Sequence, residues 1–206
     1  MKFLIISDYD APLGGIEQYI RDAAQLLESD GHECCIVGLQ WSQSQLNRRR
    51  WLLMWITACN IISAAHIVYH IIIYKPDVIW RHSVSRYIWW FPIWVSGIWN
   101  TRQWMMYHDL WYVHPYPSLV TDVSQIPHTR NLQSWLDAGK QAGKISLINT
   151  IMMTLKFWSN SMIRWVVIRN IDTHLVPSEF MIPIMVQWWV SISKIKVLGH
   201  FGRIEE

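Results

Sequence analysis

Residues 14–17, Gly-Gly-Ile-Glu, form a pattern whose backbone can bind an anion. Gly14 and Gly15 follow a four-residue apolar run, 3–6, and precede a stretch, 16–27, in which apolar residues recur every three or four positions. This pattern predicts a buried strand, a glycine loop and a helix, which together place backbone N–H groups and a helix dipole where a phosphate can bind. Glu17 falls in the first helical turn, where it either stabilises the dipole or faces a ligand. The glycine pair matches neither a GxGxxG fingerprint nor a P-loop, so a tight turn without a ligand is the alternative.

Titratable side chains follow two further predicted strands. Arg81 and His82 come directly after the apolar segment 77–80, and His108 with Asp109 follows the segment 102–107. Parallel strands end at one edge of a sheet, so these positions are candidate contacts for a phosphate or an acceptor in a cleft. A structural histidine is the alternative for His108.

Strands and helices alternate along the chain. Strands are predicted at 2–7, 32–39, 77–80, 102–107, 171–176 and 194–198, with helices between them and a helical insertion around 129–170. This alternation predicts one Rossmann-like, doubly wound α/β domain with a parallel sheet over residues 1–206. Ser178 and Glu179 precede an apolar segment and are predicted to cap a helix that starts at Phe180.

The composition favours contact with a membrane surface. The 206 residues include 15 Trp, only 16% are charged, and the net charge of +3 is too small to suggest nucleic acid. The segment 144–170 reads as a basic amphipathic helix with Trp158 and Trp165, a membrane-surface element or else half of a hairpin packed on its own domain.

The segment 51–73 contains no Asp, Glu, Lys or Arg and is long enough to cross a bilayer. Its polar residues recur at steps of three and four, which favours a helix packed on the sheet with a thin polar edge. These residues are Thr57, Asn60, Ser63, His66 and His70.

Several classes of protein and site are disfavoured. Cys34, Cys35 and Cys59 have no metal-binding spacing, so no metal is predicted, and a reducing cytoplasm fits them. The N-terminus has no secretory signal. A dinucleotide-dependent oxidoreductase is disfavoured because the second strand does not end in an acidic ribose ligand.

Five stretches, taken in order, resemble the N-terminal, acceptor-side domain of family-4 GT-B glycosyltransferases. They are KFLIISDYDAPLGGIEQYIRDAAQLLESDGHEC, PDVIWRHS, YHD, HLVPSEFM and KIKVLGHFG. The resemblance implies the N-terminal half of a GT-B fold, with Gly14, Gly15 and Glu17 in a loop that approaches the phosphates of the donor. It places His108 beside the transferred sugar as the catalytic candidate, and Ser178 in the cleft. Arg81, His82 and Asp109 are expected as acceptor or cleft residues.

The resemblance also implies a reaction and its partners. The reaction is sugar transfer from a nucleotide-sugar donor, a substrate and not a cofactor, to a membrane-linked or cell-envelope saccharide. Family members have a second domain that binds the donor and carries a Glu-x7-Glu motif, which the 206 residues do not include. Either a separate polypeptide is expected to supply it, or the chain is a truncated product of a longer gene. The expected location is cytoplasmic, at the inner face of the cell membrane. The alternative is a non-catalytic, membrane-associated binding or scaffold protein of the same fold.

Overall fold

The computed structural model describes residues 1–7, 15–38, 61–82, 90–108, 131–141, 143 and 146–199. The strands in these ranges are β1 (Lys2–Ile6), β2 (Glu33–Val37), β3 (Val78–His82), β4 (Arg102–Met106), β5 (Thr173–Val176) and β6 (Ile195–Val197). The helices are α1 (Gly15–Ser29), α2 (Ile61–Tyr74), α3 (Trp90–Ser96), α4 (Leu132–Gln141), α5 (Leu147–Asn170) and α6 (Met181–Gln187), and a 3-10 turn (Ile192–Lys194) precedes β6. Gly14, Thr57, Asn60, Asp109 and the predicted loop at 110–130 lie outside the described residues.

The six strands form one parallel sheet in the order β2-β1-β3-β4-β5-β6. The chain adds β2 on one side of β1 and then crosses to place β3 on the other side, so the strand order reverses between β1 and β3. In the register of this pair, Ile6 lies beside Arg81. The predicted Rossmann-like parallel sheet is therefore confirmed.

Helices cover both faces of the sheet. On one face Phe3, Ile5 and Trp80 pack against α1 in a core of their own. On the other face Leu4 and Ile79 pack in a larger core that α2, α3, α5 and α6 complete. Successive residues of a strand point to opposite faces of the sheet. Because helices exclude water from both faces, the strands are continuous apolar runs and do not alternate between apolar and polar residues.

The predicted helical insertion is a hairpin of α4 and α5. Trp135 of α4 is buried and contacts the ring of Phe157 of α5, with their centroids 5.8 Å apart. Gly139 lets the two helices approach closely, because a Cβ at this position would collide with the side chain of Met153. The N-terminus of α5 is capped by Ser146, whose hydroxyl oxygen accepts a hydrogen bond from the Asn149 N–H at 3.2 Å.

The described part of the segment 51–73 packs against the sheet. Residues 51–60 are outside the described ranges, and α2 buries Ala64, Ile67 and Ile71. In the predicted polar stripe, His66 and His70 lie next to each other with ring centroids 4.7 Å apart. Among the described residues, no helix combines the length and the apolar character that a membrane span needs.

Two local predictions were wrong. β3 does not end at Trp80 but continues through Arg81 and His82, which pair with Met105 and Met106 of β4. Regular parallel pairing with a neighbouring strand overrides the polar character of these two side chains.

The second error concerns the helix that follows β5. Helix α6 starts at Met181, and no side chain caps it. Ser178 contributes its backbone carbonyl, which accepts a hydrogen bond from the Met181 N–H at 3.1 Å, so its hydroxyl is not the cap.

Candidate active site

A crevice forms where the strand order reverses. After β1 the chain continues into α1 on one face of the sheet, and after β3 it continues into α3 on the other face. Neighbouring connections that leave in opposite directions open a crevice at the carboxyl ends of the two strands, the usual ligand site of such sheets. Buried Ser7 follows β1 here, and His82 ends β3.

Two histidines form a hydrogen-bonded pair at this edge. His82 Nδ1 lies 2.9 Å from His108 Nε2, and the two rings stack with centroids 5.2 Å apart and planes 21° apart. His82 is fully buried, whereas His108, two residues after β4, is half-buried. The pair forms because β3 and β4 are neighbours and both side chains leave the strand ends on the face that α1 covers.

The ring of Tyr19 from α1 packs against both histidines. Its centroid lies 5.3 Å from the His108 ring in an edge-on contact and 5.9 Å from the His82 ring. Trp80 supports His82 from below, with centroids 4.5 Å apart. Burial raises the pKa of Tyr19 to about 12, so the phenol stays protonated at neutral pH. The rings of Tyr19, Trp80 and His108 thus hold the buried His82 in one orientation.

The imidazole pair can do defined chemistry. A neutral imidazole has one N–H donor and one nitrogen acceptor, so the bond between the rings fixes complementary tautomers. If one ring donates through this bond, the other must accept, and a proton gained at one nitrogen changes both roles. His108 is the less buried ring, and because its Nε2 bonds to His82, a substrate hydroxyl would have to meet its Nδ1, which is buried in this structure.

The first turn of α1 lies beside the histidine pair. Gly15 is one helical turn, about 6 Å, before Tyr19. A Cβ added at Gly15 would meet no atom of the described residues within 4 Å, so their packing does not require glycine there. Glu17 is half-buried in the same turn. The helix N-terminus that was predicted from sequence as an anion site is therefore next to the crevice.

Arg81 lies on the opposite face of the sheet from His82. It is fully buried, and its guanidinium Nη2 donates a hydrogen bond to the Ser96 hydroxyl of α3. Burial lowers the pKa of Arg81 to about 9, and no carboxylate within the described ranges forms an ion pair with it. Adjacent residues of a strand point to opposite sides, so Arg81 and His82 are not brought together. Ser178 lies two residues after the end of β5 and is exposed. Strand β5 adjoins β4 on the side away from β3.

Comparison with known proteins identifies the family. The model of Glycosyltransferase Family 4 matches residues 13–201. The chain belongs to this family. The resemblance predicted from the five sequence stretches is thereby confirmed.

Solved structures of GT-B glycosyltransferases share the fold. Sucrose-phosphate synthase from Thermosynechococcus elongatus matches at a TM-score of 0.52 and 16% identity, over 96% of this chain and 47% of that one. HepE from Anabaena in complex with UDP matches at a TM-score of 0.46 and 14% identity, over 98% of this chain and 44% of that one. The chain thus spans just under half the length of these proteins. No curated protein matches it significantly.

A second buried pair of this family member lies on the far face of the sheet. The Tyr107 hydroxyl is 2.8 Å from His174 Nδ1, and the two rings stack at 14°. Burial, and secondarily Lys194, lowers the pKa of His174 to about 3, and burial raises that of Tyr107. Both side chains are buried away from the crevice, so the pair is a structural element of the core.

Tyr19 is the crevice residue that the sequence did not single out. In the sequence it reads as one of the apolar positions on the inner face of α1, next to Ile20. The sequence does carry a signal for it, because Tyr19 follows Gly15 by four residues. This spacing places its ring one turn into the helix that follows the glycine loop. In the part of the chain that the structure describes, no three His, Cys, Asp or Glu side chains converge as metal ligands would.

Proposed function

We propose that the chain is the acceptor-side domain of a glycosyltransferase. The enzyme would transfer a sugar from a nucleotide-sugar donor to a saccharide carried on a membrane lipid or in the cell envelope. The observation that carries the proposal is the His82–His108 pair at the reversal point of the sheet, 2.9 Å apart, in a chain of Glycosyltransferase Family 4. The cytoplasmic side of the cell membrane is the proposed location.

The crevice supplies groups for both substrates. Backbone N–H groups at Gly14 and Gly15, with the dipole of α1, would stabilise the diphosphate that gains negative charge as the bond to the sugar breaks. His108 would hydrogen-bond a hydroxyl of the transferred sugar, and His82 would hold it there. The acceptor oxygen would form the new bond to the anomeric carbon as the bond from that carbon to the diphosphate breaks, and its proton would pass to the departing diphosphate, with no covalent intermediate on the protein.

The donor-binding domain is a separate requirement. The sucrose-phosphate synthase that shares this fold is about twice as long, and the family resemblance implies a second domain with a Glu-x7-Glu motif. We propose that such a domain closes the crevice from the other side, whether it is joined to these 206 residues or comes from a partner polypeptide.

A donor screen tests the proposal. The chain, expressed together with its donor-binding domain, is incubated with a panel of nucleotide sugars and a lipid extract of the host envelope. Release of nucleoside diphosphate is measured, and new glycolipids are identified by mass spectrometry. We expect one nucleotide sugar to release nucleoside diphosphate only when the lipid extract that contains the acceptor is present. No transfer from any donor, by a folded two-domain protein, would favour the non-catalytic binding or scaffold protein instead.

A further inference from the structure

Helix α5 carries apolar side chains on two opposite faces. Its inner face buries Phe157 against α4 and Ile163 and Val167 against the sheet. Its other face, here called the outer stripe, presents large apolar residues to solvent with exposed fractions between 41% and 73%. The outer stripe consists of Ile148, Ile151, Leu155, Trp158, Met162 and Trp165.

The spacing of the outer stripe is that of a contact surface. Its members follow one another at steps of three and four, so they stay within a band about 100° wide along 18 residues of the helix. An exposed row of large apolar side chains marks a contact with protein or lipid, because water does not stabilise it. The sequence left open whether this helix meets a membrane or packs on its own domain; its inner face packs on the domain, and the outer stripe remains for a partner.

The charge of α5 selects that partner. Residues 147–170 include Lys156, Arg164 and Arg169 but no Asp or Glu. The Arg169 guanidinium lies 4.8 Å from the centroid of the Trp165 ring, which brings a cation to the edge of the outer stripe. Arg169 falls within the band of the outer stripe, and because α5 has no carboxylate a second copy of this helix could not pair with it, whereas anionic lipid headgroups would neutralise it.

We propose that the outer stripe docks α5 flat on the surface of an anionic lipid bilayer. The apolar side chains would enter the boundary between headgroups and acyl chains, and the indoles of Trp158 and Trp165 would sit at the level of the headgroups. The helix lies along the membrane and does not cross it. The docking of α5 rests on the proposed function and deepens it, because a helix bound to the membrane brings the crevice to a membrane-linked acceptor.

Vesicle co-sedimentation tests the docking surface. The full chain is mixed with vesicles of phosphatidylcholine alone or of equal parts phosphatidylcholine and phosphatidylglycerol, without any donor sugar. We expect binding to the mixed vesicles that weakens as salt is added. The double variant Trp158→Ser/Trp165→Ser should bind about tenfold or more weakly. The matched control is Leu26→Ser, since Leu26 is 54% exposed on α1, on the opposite face of the sheet.

A second variant separates charge from apolar contact. Arg169→Gln should reduce binding to the mixed vesicles and flatten its salt dependence, and thermal melting confirms that each variant is folded. The proposal is overturned if the wild-type chain fails to bind the mixed vesicles or if Leu26→Ser weakens binding as much as the tryptophan variant. It is also overturned if light scattering shows a dimer that the tryptophan variant dissociates. Vesicle binding without sugar transfer in the donor screen would contradict the proposed function alone.

Discussion

His82 Nδ1 lies 2.9 Å from His108 Nε2, so a buried histidine at the end of β3 orients a more accessible one beyond β4. The relationship depends on the sheet, since β3 and β4 are neighbours although 19 residues separate the end of one strand from the start of the other. It also depends on α1, whose Tyr19 packs against both rings. The half-buried His108 ring therefore lies beside the crevice in an orientation that is already set.

Replacing His82 tests its role as a positioning residue. His82→Ala removes the hydrogen bond and a buried ring, and should lower the free energy of unfolding by about 2 kcal/mol. Because His108 loses its orientation, we expect sugar transfer to fall about 10- to 100-fold. His82→Asn, whose amide occupies the place of Nδ1, should restore most of the rate. The measurements are thermal unfolding and the rate of transfer against pH. An alanine variant that keeps the full rate and the same pH profile would contradict this role.

Gly15 and Gly31 form a matched pair of glycine positions. Gly31 has φ +80° after α1, so Gly31→Ala should cost about 1 kcal/mol of stability. Gly15 has open space at its Cβ position, so Gly15→Ala should leave stability unchanged or raise it by up to about 1 kcal/mol. If the donor phosphates approach this backbone, Gly15→Ala should raise the KM for the nucleotide sugar, whereas Gly31→Ala should not. An unchanged KM in a stable Gly15→Ala protein would argue against a phosphate site there.

The buried His174 predicts a pH dependence of stability. Burial lowers its pKa to about 3 in the folded protein, while the unfolded chain binds the proton near the ordinary value of 6.5. The unfolded state therefore binds more protons between these two values, and the free energy of unfolding should fall by a few kcal/mol as the pH drops from 6.5 towards 3. His174→Asn keeps a hydrogen-bonding group beside Tyr107 but does not titrate. Its urea unfolding should show a shallower loss over this range, and an identical slope would contradict the assignment.

The sequence predicted most of the sheet and little of the site geometry. β1 and α1 were found because an apolar run and a helical spacing are local signals. The continuation of β3 through Arg81 and His82 was not found, since it depends on pairing with β4. Because both residues belong to the strand, Arg81 and His82 point to opposite faces of the sheet. Their position after an apolar run could not reveal this.

The outer stripe of α5 shows a second limit of the sequence. Ile163 and Ile151 are the same residue type, yet one is buried against the sheet and the other is 50% exposed. Only the position of the sheet decides which apolar face of the helix is the inner one. The Glycosyltransferase Family 4 membership was predictable, because it rests on the order of short motifs along the chain.

The rate of sugar transfer by His108→Ala tests the central claim most directly. It is measured in the two-domain protein with the donor found in the screen, alongside the wild type and Leu26→Ser, after thermal melting has shown that both variants are folded. If His108 contacts the transferred sugar, the rate should fall at least about 100-fold while the variant stays folded, with the free energy of unfolding lowered by no more than about 2 kcal/mol through the lost hydrogen bond to His82. A His108→Ala protein that transfers sugar within twofold of the wild-type rate would contradict the account.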